Sequence, residues 1–266
     1  YRGEGGVGRI FADRLGDMID FQAPENELAV ATRQDSIQHP FLNSINVWAE
    51  SLYYYKFGTW MGQRHLATID DEDHEGSFDA HDQDAVVSIL YAGLREFPSE
   101  FASRLVSDLN KVGFRIEDIG LGNLEGAKFN QPVSNAKEIR ITEKGVGVPI
   151  SQLSLSQGMF RSISVLIHLH YAVLSGRAHT ILVDDIGEGL DYERSCALIE
   201  IIIRLAADSS VQMLMTSNDR FIMNSVDLSS WILLRRNRSH VEVLSQQTHP
   251  GLFSDFEFTG LSNFDF

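Results

Sequence analysis

One cysteine, Cys196, is all that the 266 residues carry. It excludes an internal disulfide and any cysteine-rich metal site, and its place in a helical pattern reads as a small core residue. Positive charge is also scarce: 22 Lys and Arg against 37 Asp and Glu leave a formal net charge of −15. A free-standing nucleic-acid binder needs clustered cations on phosphates, so this balance argues against that class while leaving room for a locally basic groove. No apolar run reaches transmembrane length and no signal peptide is visible, which gives the expectation of a soluble, cytoplasmic protein without membrane contact. Only five lysines occur, Lys56, Lys111, Lys128, Lys137 and Lys144, and none has Gly before it and Ser or Thr after it. A phosphate loop of the form G-x-x-x-x-G-K-[ST] is therefore missing, and Gly5-Gly6-Val7-Gly8-Arg9 does not replace it. The chain opens at Tyr1 rather than Met, so upstream sequence is expected, on the same polypeptide or on a separate one.

What is present centres on Thr180 to Ser195. Thr180 followed by Ile181-Leu182-Val183 reads as a short buried strand that stops at two adjacent carboxylates, Asp184 and Asp185. A helical run opens at Asp191. Acid at the carboxyl end of a buried strand stands where open α/β sheets bind ligands. Two neighbouring carboxylates repel unless a cation sits beside them, and Mg²⁺ on a nucleotide phosphate meets that need; a solvated Asp-Asp turn is the plainer alternative. Upstream, Leu155-Ser156-Gln157-Gly158-Met159 opens a run that is apolar almost all round to Leu174, the pattern of a buried helix. Ser156 as N-cap, Gly158 for close backbone approach and a helix N-terminus together make an anion site, although an ordinary capped core helix has the same features. Downstream, the mostly apolar run Val211 to Met215 ends in Thr216-Ser217-Asn218-Asp219.

The rest of the chain is read more coarsely. Residues 1 to 45 are Gly-rich and then mixed, with Glu27 to Ala31 as a short apolar element. Asn46 to Trp60 is aromatic-rich and fits a helix running into a strand. The acidic stretch from Asp70 to Asp84 carries His74 and His81 but matches no defined metal loop, and reads as a solvated loop. Helical spacing recurs over Gln83 to Leu94 and Ser99 to Val112, with Ser99 as N-cap and Gly113 as the closing residue. Glu138 to Val148 suggests a hairpin turning at Lys144-Gly145, with Pro149 ending its second strand. Trp231 to Arg236 and His240 to Leu244 read as the last strands, and Arg235, Arg236 and Arg238 form the one basic cluster. The tail from Phe253 is aromatic and acidic and looks like a docking or closing segment.

Signature turn, carboxylate strand, helix, strand with a polar tip: this order resembles the C-terminal half of an ABC-type ATPase head. It looks most like the stand-alone proteins grouped with the overcoming-lysogenization and RecF-like ATPases. The spacings, 28 residues from Ser156 to Asp184 and 34 from Asp184 to Asn218, each leave room for one helix and one strand. The resemblance is firm over residues 150 to 236 and loose before them. It implies an α/β, three-layer P-loop NTPase-type fold with a mainly parallel sheet and a helical subdomain. The expected domains are 1–78 as the N-terminal remainder of the head, 79–137 as a helical lobe with connecting strands, and 138–266 as the catalytic half.

The same resemblance implies roles. Ser156, Gln157 and Gly158 stand for the signature that grips the nucleotide of an opposite subunit, reading LSQGM where the common form is LSGGQ. Asp184 matches the aspartate that holds the Mg²⁺ shell. Asp185 replaces the usual glutamate that orients the attacking water, and is one methylene shorter. Gly187 to Asp191 matches the D-loop, which in the family crosses the dimer interface, with Asp191 as a cofactor-binding residue, although helix capping alone would explain it. Asn218 falls where a switch histidine is usual, and it can donate a hydrogen bond but carries no charge. The implied cofactors are ATP and Mg²⁺. The implied partners are a second copy, through an ATP sandwich, and an effector such as a nuclease or toxin in bacterial anti-phage defence. Two rivals are a DNA repair or recombination ATPase that clamps DNA and a non-catalytic scaffold on the same fold. A transport head is disfavoured, because no docking loop with its glutamine is found. Asp185 and Asn218 both point to nucleotide sensing over rapid hydrolysis. Steady-state turnover of the full-length protein is expected to stay below roughly 10 s⁻¹, the middle of the enzyme range, and a faster rate overturns the sensing reading.

Overall fold

The computed structural model describes residues 2–4, 6–32, 35–69, 79–124, 136–177 and 179–266. Most of the acidic stretch, residues 70 to 78, lies outside the described residues, as do Gly5 and Lys128. The chain divides into two compact units, one drawn from Tyr1–Tyr53 with Ala178–Thr180 and the other from Tyr54–Arg177 with Ile181–Phe266.

The first unit contains β1 (Arg2–Glu4), β2 (Val7–Ala12) and β3 (Asp17–Gln22), an antiparallel meander in that order. Alternation sends Ile10 and Ala12 inward while Val7 and Phe11 face out. Ile10, Phe21 and Leu42 form its core, with Ile19, Ala23 and Val30 packed against them. Leu42 comes from α2 (Pro40–Glu50), which follows the single turn α1 (Ala29–Thr32). Pro40 suits the start of α2 because its fixed φ is already helical and its missing N–H has no helical partner there. Asp35 accepts from the N–H groups of Ile37 and Gln38 just before it. The meander is absent from the sequence expectations, since four glycines in the first eight residues hide the period of two.

The second unit holds three sheets. Strands β4 (Leu52–Lys56), β9 (His179–Asp184) and β10 (Val211–Met215) make one sheet in the order β10-β9-β4, and the part of it from Tyr54 and Ile181 onward lies in this unit. Phe57 N–H reaches Asp184 O at 2.9 Å and Thr216 N–H reaches Val183 O at 2.9 Å, so all three strands end side by side and run parallel. The other ladders are antiparallel. In one, β5 (Ala67–Thr68), β6 (Ile116–Asn123), β7 (Ala136–Glu143) and β8 (Pro149–Ser151) assemble around β7. In the other, β11 (Ile232–Asn237) pairs with β12 (His240–Ser245). The expected mainly parallel sheet is thus corrected to an α/β fold of mixed strand direction. The hairpin after Glu138 forms too, but Pro149 begins its second strand instead of ending it: Thr142 pairs with Pro149. Proline sits there without loss because an edge position needs no ladder N–H.

Helices α3 (Val86–Glu96) and α4 (Phe101–Val112) pack against α5 (Gln157–Ser175), and α4 also meets α6 (Tyr192–Ala207). Gly93 lets α3 approach the Phe101 ring, where a Cβ would come within 2.4 Å. Gly113 closes α4 at φ 101°, as expected, whereas Glu100 and not Ser99 occupies the N-cap position. Short α7 (Arg220–Ser225) and α8 (Pro250–Thr259) complete the chain, and no helix among the described residues is long and apolar enough to cross a membrane.

α5 is buried along almost its whole length, which forces its polar side chains to find partners. His170 lies 3.1 Å from Asp108 of α4, which also takes Lys111 at 2.8 Å and Arg204 of α6 at 2.9 Å. Burial alone would raise the Asp108 pKa, but His170, Lys111 and Arg204 outweigh it and hold the carboxyl well below the usual range. His168, beside the Tyr55 ring, lies 3.3 Å from Gln83 O, and burial pushes its pKa down to about 4. An unfolded histidine takes up its proton near pH 6.5. Between these values the unfolded chain binds more protons, so stability that is complete above about pH 6.5 drains away as pH falls toward 4. In urea melts, this one group should remove about 2 kcal/mol between pH 7 and pH 5. His168→Gln should lack that component of the slope, and a wild-type slope unchanged by the substitution would rule it out.

Candidate functional site

The parallel sheet gathers the carboxylates and the polar strand tip because β4, β9 and β10 end together. Asp184 is the last residue of β9 and is half-buried. Thr216, just past β10, donates its hydroxyl to Asp184 Oδ1 at 2.6 Å, and Tyr54 of β4 donates to Oδ2 at 3.3 Å. Each neighbouring strand thus orients one oxygen of the carboxylate. The Tyr54 phenol is pushed up by partial desolvation and then by the negative charges of Asp184 and Asp185.

Asp185 turns out of the strand with φ 55°, in the left-handed region that a non-glycine residue seldom enters. It stays there because the surroundings leave no alternative. Its N–H donates to Thr216 Oγ1 at 3.0 Å, Ile186 N–H donates to Thr216 O at 2.9 Å, and Glu188 N–H returns to Asp185 O at 3.3 Å. Gly187 follows at φ 90° with its Cα against Ile222, and Gly189 at φ 83°. A side chain at either glycine would meet both a strained backbone and a filled space.

The segment Leu155 to Met159 comes to the same turn. Ser156 caps α5, its Oγ accepting Met159 N–H at 3.3 Å, and Gln157 is the exposed first helical residue. Gly158 is buried against the 187–190 turn: a Cβ there would lie 2.3 Å from Gly189 O. Gly158 and Gly189 therefore meet backbone to backbone. Asp191 caps α6, accepting Arg194 N–H at 3.0 Å and pairing with the Arg194 guanidinium. The backbone N–H and then Arg194 itself hold its pKa down. Asn218 is exposed between β10 and α7, while its neighbour Ser217 donates to Ile186 O at 3.2 Å.

Several residues in this constellation were not foreseen. Tyr54 was hidden in an aromatic run and Thr216 in a polar tip. Arg161 is 5% exposed on α5 and donates to three carbonyls: Gly58 O at 2.7 Å, Thr59 O at 2.8 Å and Glu188 O at 2.9 Å. A lone arginine inside an otherwise apolar helix was the signal that could have found it. Gln63 and Gln152 exchange bonds, Gln63 Nε2 to Gln152 O at 3.0 Å and Gln152 Nε2 to Gln63 O at 3.0 Å. Gln63 also reaches Leu155 O at 2.8 Å, which ties the loop after β4 to the segment that opens α5.

No protein-family model matches the sequence, and no curated protein matches it. Among solved structures the chain is similar to an SMC ATPase described for ATP-driven dimerization and DNA-stimulated activation. That match has 15% identity and a TM-score of 0.43, over 63% of this chain and 97% of the other. It is similar also to the Smc head domain with coiled coil and joint from Pyrococcus yayanosii, at 15% identity and a TM-score of 0.42 over 63% and 31%. A third is the Smc head bound to the C-winged helix domain of ScpA, at 13% identity and a TM-score of 0.48 over 73% and 56%. The matched regions are thus about a third and about half of those last two chains. At these values the likenesses are of outline and assign no residue.

The Gly158–Gly189 contact leaves no room for a methyl group. Gly158→Ala should lower stability by roughly 1–3 kcal/mol, the usual cost of overpacking, even though alanine is the better helix former. A thermal melt no lower than that of the wild type would show that the 187–190 turn yields freely.

Proposed function

We propose that this chain is the signature- and carboxylate-bearing part of an ABC-type ATPase head, in which ATP with Mg²⁺ joins two copies. The observation that carries the reading is the packing of Gly158 on Gly189, which fuses the helix end at Ser156 to the turn that follows Asp184 and Asp185. A capped helix N-terminus alone is commonplace, and so is an acidic strand end. Their backbone contact makes one structure of an anion-facing and a cation-facing group.

The residues present fit this cofactor. Asp184 and Asp185 offer hard oxygen donors, and no group of three acidic, histidine or cysteine side chains stands together among the described residues. Such a sparse set suits Mg²⁺, which keeps most of its ligands as water and phosphate oxygen. Bound Mg·ATP would supply the reactive phosphoryl group and neutralise its charge. Asp184, aimed by Thr216 and Tyr54, would hold the cation's water shell. Asp185 would orient the attacking water and take its proton. Ser156, with the unpaired first amides of α5, would face the nucleotide held by the second copy. Asn218 would add a neutral hydrogen bond at the γ-phosphate.

Sandwiching converts nucleotide state into dimer geometry, and a partner reads that geometry. A nuclease or toxin partner in anti-phage defence has no residue here to carry it. The DNA-associated alternative corresponds to the DNA stimulation described for the similar SMC ATPase. With a net charge of −15, a separate basic chain is the better candidate for contact with DNA itself.

Light scattering of the full-length protein with and without Mg·ATP tests the reading. The mass should double with ATP, and Asp185→Ala should lengthen the life of the dimer. A DNA duplex added in a further arm should raise turnover only in the presence of the basic partner. Mass and melting temperature indifferent to ATP in both forms would leave a non-catalytic scaffold.

A further inference from the structure

We propose that Arg161 is a positioning residue for Asp185, and that through it the signature helix sets the geometry of the carboxylate turn. The proposal rests on the nucleotide reading above and adds a residue to it. Asp185 is held at φ 55° by the 185–188 turn, which Glu188 N–H closes onto Asp185 O. The carbonyl of that same Glu188 accepts from Arg161 Nη1 at 2.9 Å. The other two arms of the guanidinium hold Gly58 O and Thr59 O, in the loop that leaves β4 directly after Phe57, whose N–H binds Asp184 O. One buried side chain therefore grips the backbone on both sides of the Asp184–Asp185 pair, from a helix whose first turn is Gln157 to Phe160.

The chemistry of the group matches the task. A guanidinium presents a planar fork that satisfies several carbonyls in fixed directions, whereas an ammonium is a compact point charge that cannot span them. All three of its hydrogen-bond acceptors are backbone carbonyls, so the fork is spent on fixing backbone positions. A shift of α5 at its first turn moves Arg161, and with it Glu188 O and the Asp185 backbone. A displacement of about 1 Å at a water-orienting group is enough for a large loss of rate.

The test is a double-mutant cycle in the full-length protein, with ATP turnover and KM measured for wild type, Arg161→Lys, Asp185→Ala and the pair. Arg161→Lys should lower kcat about tenfold or more, the scale of a small misplacement, with KM changed less than about twofold because lysine keeps the charge. In the Asp185→Ala background the same substitution should change kcat no further. A full loss repeated in that background, or no loss in the wild-type background, overturns the proposal. Mass and melting temperature indifferent to ATP remove the nucleotide reading, and this proposal with it; absence of turnover in a wild type that still dimerises with ATP, or turnover unaffected by Arg161→Lys, removes only this proposal. Hydrogen exchange supplies a readout that needs no variant. The amides of Glu188 and Leu190 in the wild type should exchange far more slowly than free peptide, and free-peptide rates there would overturn the proposal even if Arg161→Lys did not fold.

Discussion

A buried guanidinium whose partners are all backbone carbonyls is the constraint on which the site depends. Removing a charge from water costs several kcal/mol unless hydrogen bonds replace the lost hydration. Arg161 recovers that cost only if Gly58, Thr59 and Glu188 all present their carbonyls at once. The loop after β4 and the turn after β9 are therefore not free to choose their shapes independently.

The strained conformation of Asp185 is a consequence of the same arrangement. A carboxylate in the left-handed region costs of order 1 kcal/mol or more and persists only where its neighbours over-determine it. Thr216 supplies a hydroxyl to Asp184 and takes the N–H of Asp185, so one side chain sets both acids relative to each other. Gly187 and Gly158 then let the chain pass Ile222 and Gly189 O at distances that no side chain would allow, and Gly189 supplies the left-handed φ of 83°. Each acid is thus placed by a strand neighbour and a turn together, and neither is simply the solvated end of a strand.

The fold was legible in part from sequence, and the division follows physical lines. α5 announced itself by unbroken apolar character, and α4 by its spacing and by Gly113, because these signals are local. The parallel set β4, β9 and β10 was legible at β9 and β10 through their apolar runs. The meander of β1 to β3 was not, since its inward positions include Gly8 and Ala12, which carry little hydropathy. The mixed strand direction was missed for a different reason: β7 pairs antiparallel with β6 and with the distant β5, and no local pattern encodes those pairings. Within the site, Ser156, Asp184 and Asp191 were readable as caps and strand ends. Tyr54, Gln63 and Arg161 act across about 100 residues or more of chain, and their partners are mostly backbone atoms or a single carboxylate that no local pattern encodes.

This bears on why departures from the common motif can coexist with a well-built site. Within LSQGM, Leu155 O accepts from Gln63, Ser156 caps the helix and Gly158 packs on Gly189. Gln157 faces outward and Met159 turns inward, so each answers to solvent or core and not to the turn. The same distinction applies to the acids. Asp185 contributes its backbone to the Thr216 network and leaves its side chain exposed, so a change of side-chain length alters reach toward a ligand without disturbing the framework. Framework and reach are thus separable in this site. A change of side chain at Asp185 or Asn218, both exposed, alters reach alone, while Arg161, Thr216 and the two facing glycines continue to hold the geometry of the turn.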